Sequence, residues 1–203
     1  MADDADLTPR PDAPVLTLPP DEAALLRAEY RRAGVILEYG SGGSTVLAGG
    51  MPGKQVFSVE SDAAWVARMQ GWFVENPPAS PVVMHHADIG PTVAWGRPAD
   101  ETQFRKWPGY ANSVWDRADF AHPDVVLVDG RFRAACLMTV ALRILRPVTV
   151  LFDDYTRRKP YHAVERLVQP TGFAGRMARF DLVPMAFPAD RLGWLVSLFL
   201  KPL

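Results

Sequence analysis

The chain has 203 residues, 48% apolar and 22% charged, with 22 Lys and Arg against 23 Asp and Glu for a net charge of −1. At ~150 residues per domain this is one globular domain, and the balanced charge argues against a nucleic-acid partner held by a strong basic field. A single cysteine, Cys136, excludes an internal disulfide and a Cys-built zinc site. No apolar run reaches the ~18 residues of a membrane span, and the acidic start lacks the basic and apolar parts of a signal peptide, so a cytoplasmic protein is expected.

Residues 1–18 carry Asp, Pro and Thr without helical periodicity and predict a mobile arm, with a single domain over 19–203. Pro19-Pro20-Asp21 opens a helix that runs to Ala33, with Leu25, Leu26 and Tyr30 on one face and Gly34 just past its end. An alternation follows: strand 35–37, glycine turn, helix 44–48, strand 55–59, helix 62–74 with Asp62 as cap, strand 81–85. It resumes with strand 125–128, helix 132–145, strand 148–152 and helix 161–168. Strands interleaved with helices make a parallel sheet covered on both faces. The stretches 176–183 and 194–201 have strand character with no helix between them, which predicts an antiparallel pair. The segment 90–121, with Trp95, Trp107, Tyr110, Trp115 and three prolines, has no period and is expected as an insertion that forms a mobile lid.

In such sheets ligands bind beyond the carboxyl ends of the strands, where acidic residues recur here: Glu38, Glu60, Asp88, Asp129 and Asp153-Asp154. The first turn, Glu38-Tyr39-Gly40-Ser41-Gly42-Gly43-Ser44, exposes backbone N–H groups to a ligand. A pyrophosphate-binding dinucleotide turn fits poorly, since Thr45 replaces the last small residue and Glu38 adds negative charge; a ligand bearing a cation fits better. Glu60 stands where a carboxylate accepts ribose hydroxyls. Asp88 can accept from an adenine amino group, with Ile89 against the ring. Each of these acids also has a plainer reading, as a solvated strand end or a turn cap.

Together these residues resemble class I S-adenosylmethionine-dependent methyltransferases over about 34–203. Glu38 to Ser44 is similar to the acidic, glycine-rich first motif, Glu60 to the ribose-binding acid, and Ala87-Asp88-Ile89 to the adenine-edge segment. The resemblance implies a doubly wound, mostly parallel seven-stranded sheet with an antiparallel C-terminal strand. It also implies a cofactor site of Glu38, Gly40, Ser41, Gly42, Ser44, Glu60, Asp88, Ile89 and Asp129, with Glu38 near the methionine end. Asp129 with Asp153 and Asp154 resembles the magnesium ligands of macrocin- and novobiocin-type O-methyltransferases. The Gly-Arg-Phe-Arg that follows Asp129 is more similar to small bacterial methyltransferase-like proteins. Arg131, Arg133, Arg157, Arg158 and Lys159 gather at the same rim and predict an anionic small-molecule acceptor, with a solvated face as the alternative. Asp129 and His162 are the catalytic candidates, and His85 and His86 are further possible bases. Two other readings stay open: a module that binds the cofactor or its demethylated product without catalysis, and a nucleotide-sugar or dinucleotide enzyme. Oligomeric state is not indicated.

Overall fold

The computed structural model describes residues 14–202. Its seven-stranded sheet has the order β3-β2-β1-β6-β7-β9-β8, formed by Val82–His86, Gln55–Glu60, Val35–Tyr39, Val125–Val128, Val148–Phe152, Met177–Leu182 and Gly172–Ala174. The pairs among β1, β2, β3, β6 and β7 are parallel, whereas β9 runs antiparallel to both β7 and β8. A separate hairpin pairs β4 (Thr92–Val93) with β5 (Arg97–Pro98).

Alternation along the strands sorts the core onto two faces. Ile36, Val56, Val125, Leu127 and Leu151 meet Leu26 and Tyr30 of α1 (Pro20–Arg32) and Leu47 and Ala48 of α2 (Gly43–Gly50). Leu37, Tyr39, Phe57, Val59, Val126, Val128, Val150 and Phe152 face the other way. They meet α4 (Pro108–Asn112), α5 (Arg133–Arg143) and α6 (Leu192–Leu198). α3 (Ala63–Glu75) follows β2, and the Asp62 carboxylate caps it by accepting from Ala64 N at 2.9 Å and Trp65 N at 3.1 Å.

Several expectations need correction. Residues 1–13 of the expected arm lie outside the described residues, but Leu16 and Leu18 pack against the α1–α2 side of the core. The backbone there runs so close to α2 that a Cβ on Gly43 would lie 2.2 Å from Leu16 N. The stretch 194–201 is not a strand. Trp194, Leu195, Leu198 and Phe199 pack as one face of α6 at helical spacing, and β8 takes the place beside β9. Helix 161–168 is a 3-10 helix over Lys159–Arg166.

The 90–121 segment has two parts. Trp107, Tyr110, Ala111 and Val114 are buried in the core, where this stretch serves as the crossover from β3 to β6. The portion before Trp107, containing the β4–β5 hairpin, lies at the carboxyl edge of β2 and β3: Ser61 donates to Gly96 O at 2.8 Å, and Lys106 bonds Asp88 at 2.7 Å. A lid can therefore involve only the first part.

Candidate functional site

The sheet's connections diverge between β1 and β6, so the crevice at their carboxyl ends is the topological switch point. The chain leaves β1 through Gly40, whose φ of 99° is left-handed. The loop after β6 comes so close that a Cβ on Gly40 would lie 2.7 Å from Gly130 N. A Cβ on Gly130 would lie 2.1 Å from the Tyr110 hydroxyl, which accepts from Arg131 N at 3.2 Å. The Tyr110 ring packs between Tyr39 and Phe132, with centroids 6.1 and 5.5 Å away. Nothing lies within 4 Å of a Cβ built on Gly42, so the loop is open on that side.

Glu38 is fully buried. Its carboxylate accepts from Tyr30 at 2.6 Å, Thr45 at 2.5 Å and Ser58 at 3.3 Å. Burial raises its pKa, against the opposing pull of hydroxyls from Thr45, Tyr30, Ser44 and Ser58. Glu38 is thus enclosed by the hydroxyls beneath the glycine loop. Thr45 also accepts from Gly42 N at 3.0 Å, which ties loop and carboxylate together.

Glu60 faces the loop from β2. One carboxylate oxygen accepts from Ser61 N at 2.7 Å and Asp62 N at 3.0 Å; the other meets Ser41 N at 3.4 Å and Ser41 Oγ at 3.3 Å. Trp65 Nε1 donates to Ser41 O at 3.0 Å and steadies the same turn. The partly buried Glu60 carboxylate beside the turn fits a ribose diol. Asp88 is exposed and held by Lys106 and by Gly90 N at 2.9 Å, which keep its carboxyl below the usual range. Ile89, 1% exposed, packs in the core.

The acids after β6 and β7 are paired with arginines. Arg133, 4% exposed, bonds the backbone oxygens of Gly130, Asp153 and Asp129 at 3.0, 2.7 and 3.0 Å. It also reaches the Asp129 carboxylate at 3.0 Å. Arg176 grips Asp153 with two bonds, at 3.0 and 2.8 Å, and approaches Asp154 at 3.2 Å. Arg158 holds Asp154 at 2.9 Å. A divalent cation would have to displace these guanidinium groups, so Asp129, Asp153 and Asp154 do not fit magnesium. No group of three His, Cys, Asp or Glu among the described residues is arranged to hold a metal. The Asp129 side chain is 33% exposed. Burial nonetheless pushes its carboxyl up to about 7, against the pull of Arg133 and with help from Asp153 and Asp154.

Among the histidines, His85 contacts Ser113 Oγ at 2.8 Å, and burial with Arg117 nearby lowers its pKa. His86 Nε2 is 3.2 Å from Ser61 O. His162 Nε2 lies 3.0 Å from Tyr155 O, and its ring stacks on Tyr155 at 4.8 Å. A carbonyl can only accept, so His162 carries its proton on Nε2 and keeps Nδ1 free. Sequence reasoning missed Tyr110, Tyr161 and Arg176. Gly130 after Asp129 was a usable signal for a close approach; nothing local marked Arg176, which lies 23 residues from its partner.

The fold matches a methyltransferase-like protein from Silicibacter pomeroyi with 48% identity and a TM-score of 0.91, over 94% of this chain and 99% of the other. It also matches the O-methyltransferase TomG from Streptomyces achromogenes, solved in complex with S-adenosylmethionine, at 17% identity and a TM-score of 0.53, covering 84% and 82% of the two chains. An RNA methyltransferase from Salinibacter ruber, in complex with S-adenosylhomocysteine, matches at 17% identity and a TM-score of 0.50, covering 87% and 98%. The last two likenesses concern the fold alone. No protein-family model and no curated protein matches the chain.

Proposed function

The chain belongs to the class I S-adenosylmethionine-dependent methyltransferases, and on that premise we propose that it transfers a methyl group from S-adenosylmethionine to an oxygen of a small-molecule acceptor. The cofactor, when bound, supplies an electrophilic methyl on a sulfonium. The observation that carries the reading is the convergence of the Gly40–Gly42 turn, open at Gly42, with the partly buried Glu60 carboxylate at the carboxyl ends of β1 and β2. In this reading Glu60 exchanges its contacts with Ser41 for the ribose hydroxyls, and the Ser41–Gly42 turn packs against the cofactor. Glu38 acts from below by fixing Thr45 and through it Gly42. Alignment of acceptor and donor is the main catalytic contribution.

The acceptor hydroxyl needs a base. Asp129, with a carboxyl near 7 and a side chain that still meets solvent, suits the role. His162 Nδ1 is the second candidate. Glu60→Ala should weaken S-adenosylmethionine binding by about 1.5–3 kcal/mol, the scale of charged hydrogen bonds. Calorimetry on the folded variant tests this, and an unchanged affinity would move the cofactor site elsewhere.

A specific observation favours a second reading, that of a non-catalytic cofactor-binding module. The acids beside the crevice are already paired with arginines, Asp129 with Arg133, Asp153 with Arg176 and Asp154 with Arg158. Binding of S-adenosylhomocysteine without any acceptor-dependent turnover would select that reading.

A further inference from the structure

A cavity of about 510 Å³ lies between the first turn of α5, the 3-10 helix Lys159–Arg166 and the end of α6. That volume suits a small organic molecule. Ala134, Pro160, Ala163 and Leu198 give it apolar walls, and Lys159 and Lys201 stand among its lining residues. Neither lysine's ammonium has an ion-pair or hydrogen-bond partner among the described residues. Of the other rim residues, Arg133 and Arg158 pair with aspartates. The carboxylate of the same 3-10 helix, Glu165, accepts from Tyr155 at 2.9 Å.

Tyr161, which also lines the cavity, is 2% exposed, and its hydroxyl has no hydrogen-bond partner. Arg131 Nε is enclosed and unpaired as well. Guanidinium groups of Arg133 and Arg158 lie 5.8 and 5.9 Å from the Tyr161 ring centre. A buried hydroxyl without a partner is destabilising, and few native groups are left so. The hydroxyl is sealed from solvent behind the cavity wall. Arg133, near the Tyr161 ring, also touches Asp129 and links that wall to the site already described.

We propose that this cavity binds an organic acid, an apolar body seated on Ala134, Ala163 and Leu198 with its carboxylate between Lys159 and Lys201, and that this acid is the methyl acceptor. The acceptor role rests on the methyltransferase reading; the binding does not. The test is a thermal-melt titration of the full chain with benzoate, without cofactor and at low salt, with inorganic phosphate as a parallel arm. Benzoate should raise the melting temperature more than phosphate does. Lys159→Ala and Lys201→Ala should each weaken its apparent affinity, roughly fivefold for exposed charges. Tyr161→Phe should leave both the free melt and benzoate binding close to wild type, because the hydroxyl is sealed from the cavity. The proposal is overturned if benzoate leaves the wild-type melt unchanged, if both lysine substitutions leave the response intact, or if phosphate matches benzoate. Calorimetry with S-adenosylmethionine on the same proteins separates the two readings. If wild type binds benzoate but no cofactor, the cavity stands and the acceptor role falls.

Discussion

Glu38 is a carboxylate kept where carboxylates are costly. Its folded pKa is raised by burial, so above about 4.3 the native chain keeps a proton that the unfolded chain has lost. Stability from this group therefore falls as pH rises through that interval, up to the folded pKa. Glu38→Gln should show a smaller difference between urea melts at pH 4 and pH 7 than wild type; an equal difference would show that another group carries the effect. Thr45→Val leaves the buried acid short of a donor and Gly42 N short of an acceptor, and should cost about 1.5–3 kcal/mol in the same melts. Asp129 titrates on the functional side. With its carboxyl near 7, the acid limb of the kcat/KM profile should bend at about pH 7. If Asp129→Asn retains that limb, the base is a different group, with His162 next in line.

At the scale of elements, the 90–121 segment divides by burial. Trp107, Tyr110 and Val114 are core residues, whereas Trp95 is 87% exposed and Phe104 44% exposed. Hydrogen exchange should find amides 107–116 protected nearly as well as β6 and those of 91–106 opening much faster. Fast exchange throughout would return the whole segment to the role of lid. Part of this segment was obscure in the sequence because its core contacts come from short turns, which leave no period of 2 or 3.6. α6 was obscure for a different reason. An apolar run from Trp194 to Leu200 satisfies strand and helix patterns alike, and only packing against α5 decides which face is buried.

Across the whole molecule, Arg133 and Arg176 join the ends of β6 and β7 to the start of β9. This network stands where a metal was expected. EDTA and millimolar magnesium should leave the wild-type melting temperature unchanged. Arg176→Ala abandons Asp153, which is 1% exposed, and should cost about 3–5 kcal/mol, the scale of a buried pair broken on one side. Magnesium should then partly restore the variant's melt, since the freed carboxylates repel each other. A magnesium response already present in wild type would reinstate the metal site.

The sequence by itself determined the parallel sheet, the glycine turn and the row of acids after the strands. These are local signals: apolar β-branched runs, punctuating glycines, and carboxylates at the ends of runs, each readable within a few residues. It also placed Glu60 correctly at the end of β2, because strand ends follow from pattern. Only the tertiary structure decided what those acids face. Glu38 is met by Tyr30, Thr45 and Ser58, Asp153 by Arg176, and Gly130 by Tyr110. These partners come from different elements, and electrostatics acts through space. A carboxylate's neighbours, and with them its charge and its chemistry, are set by which chains the fold brings within a few ångströms.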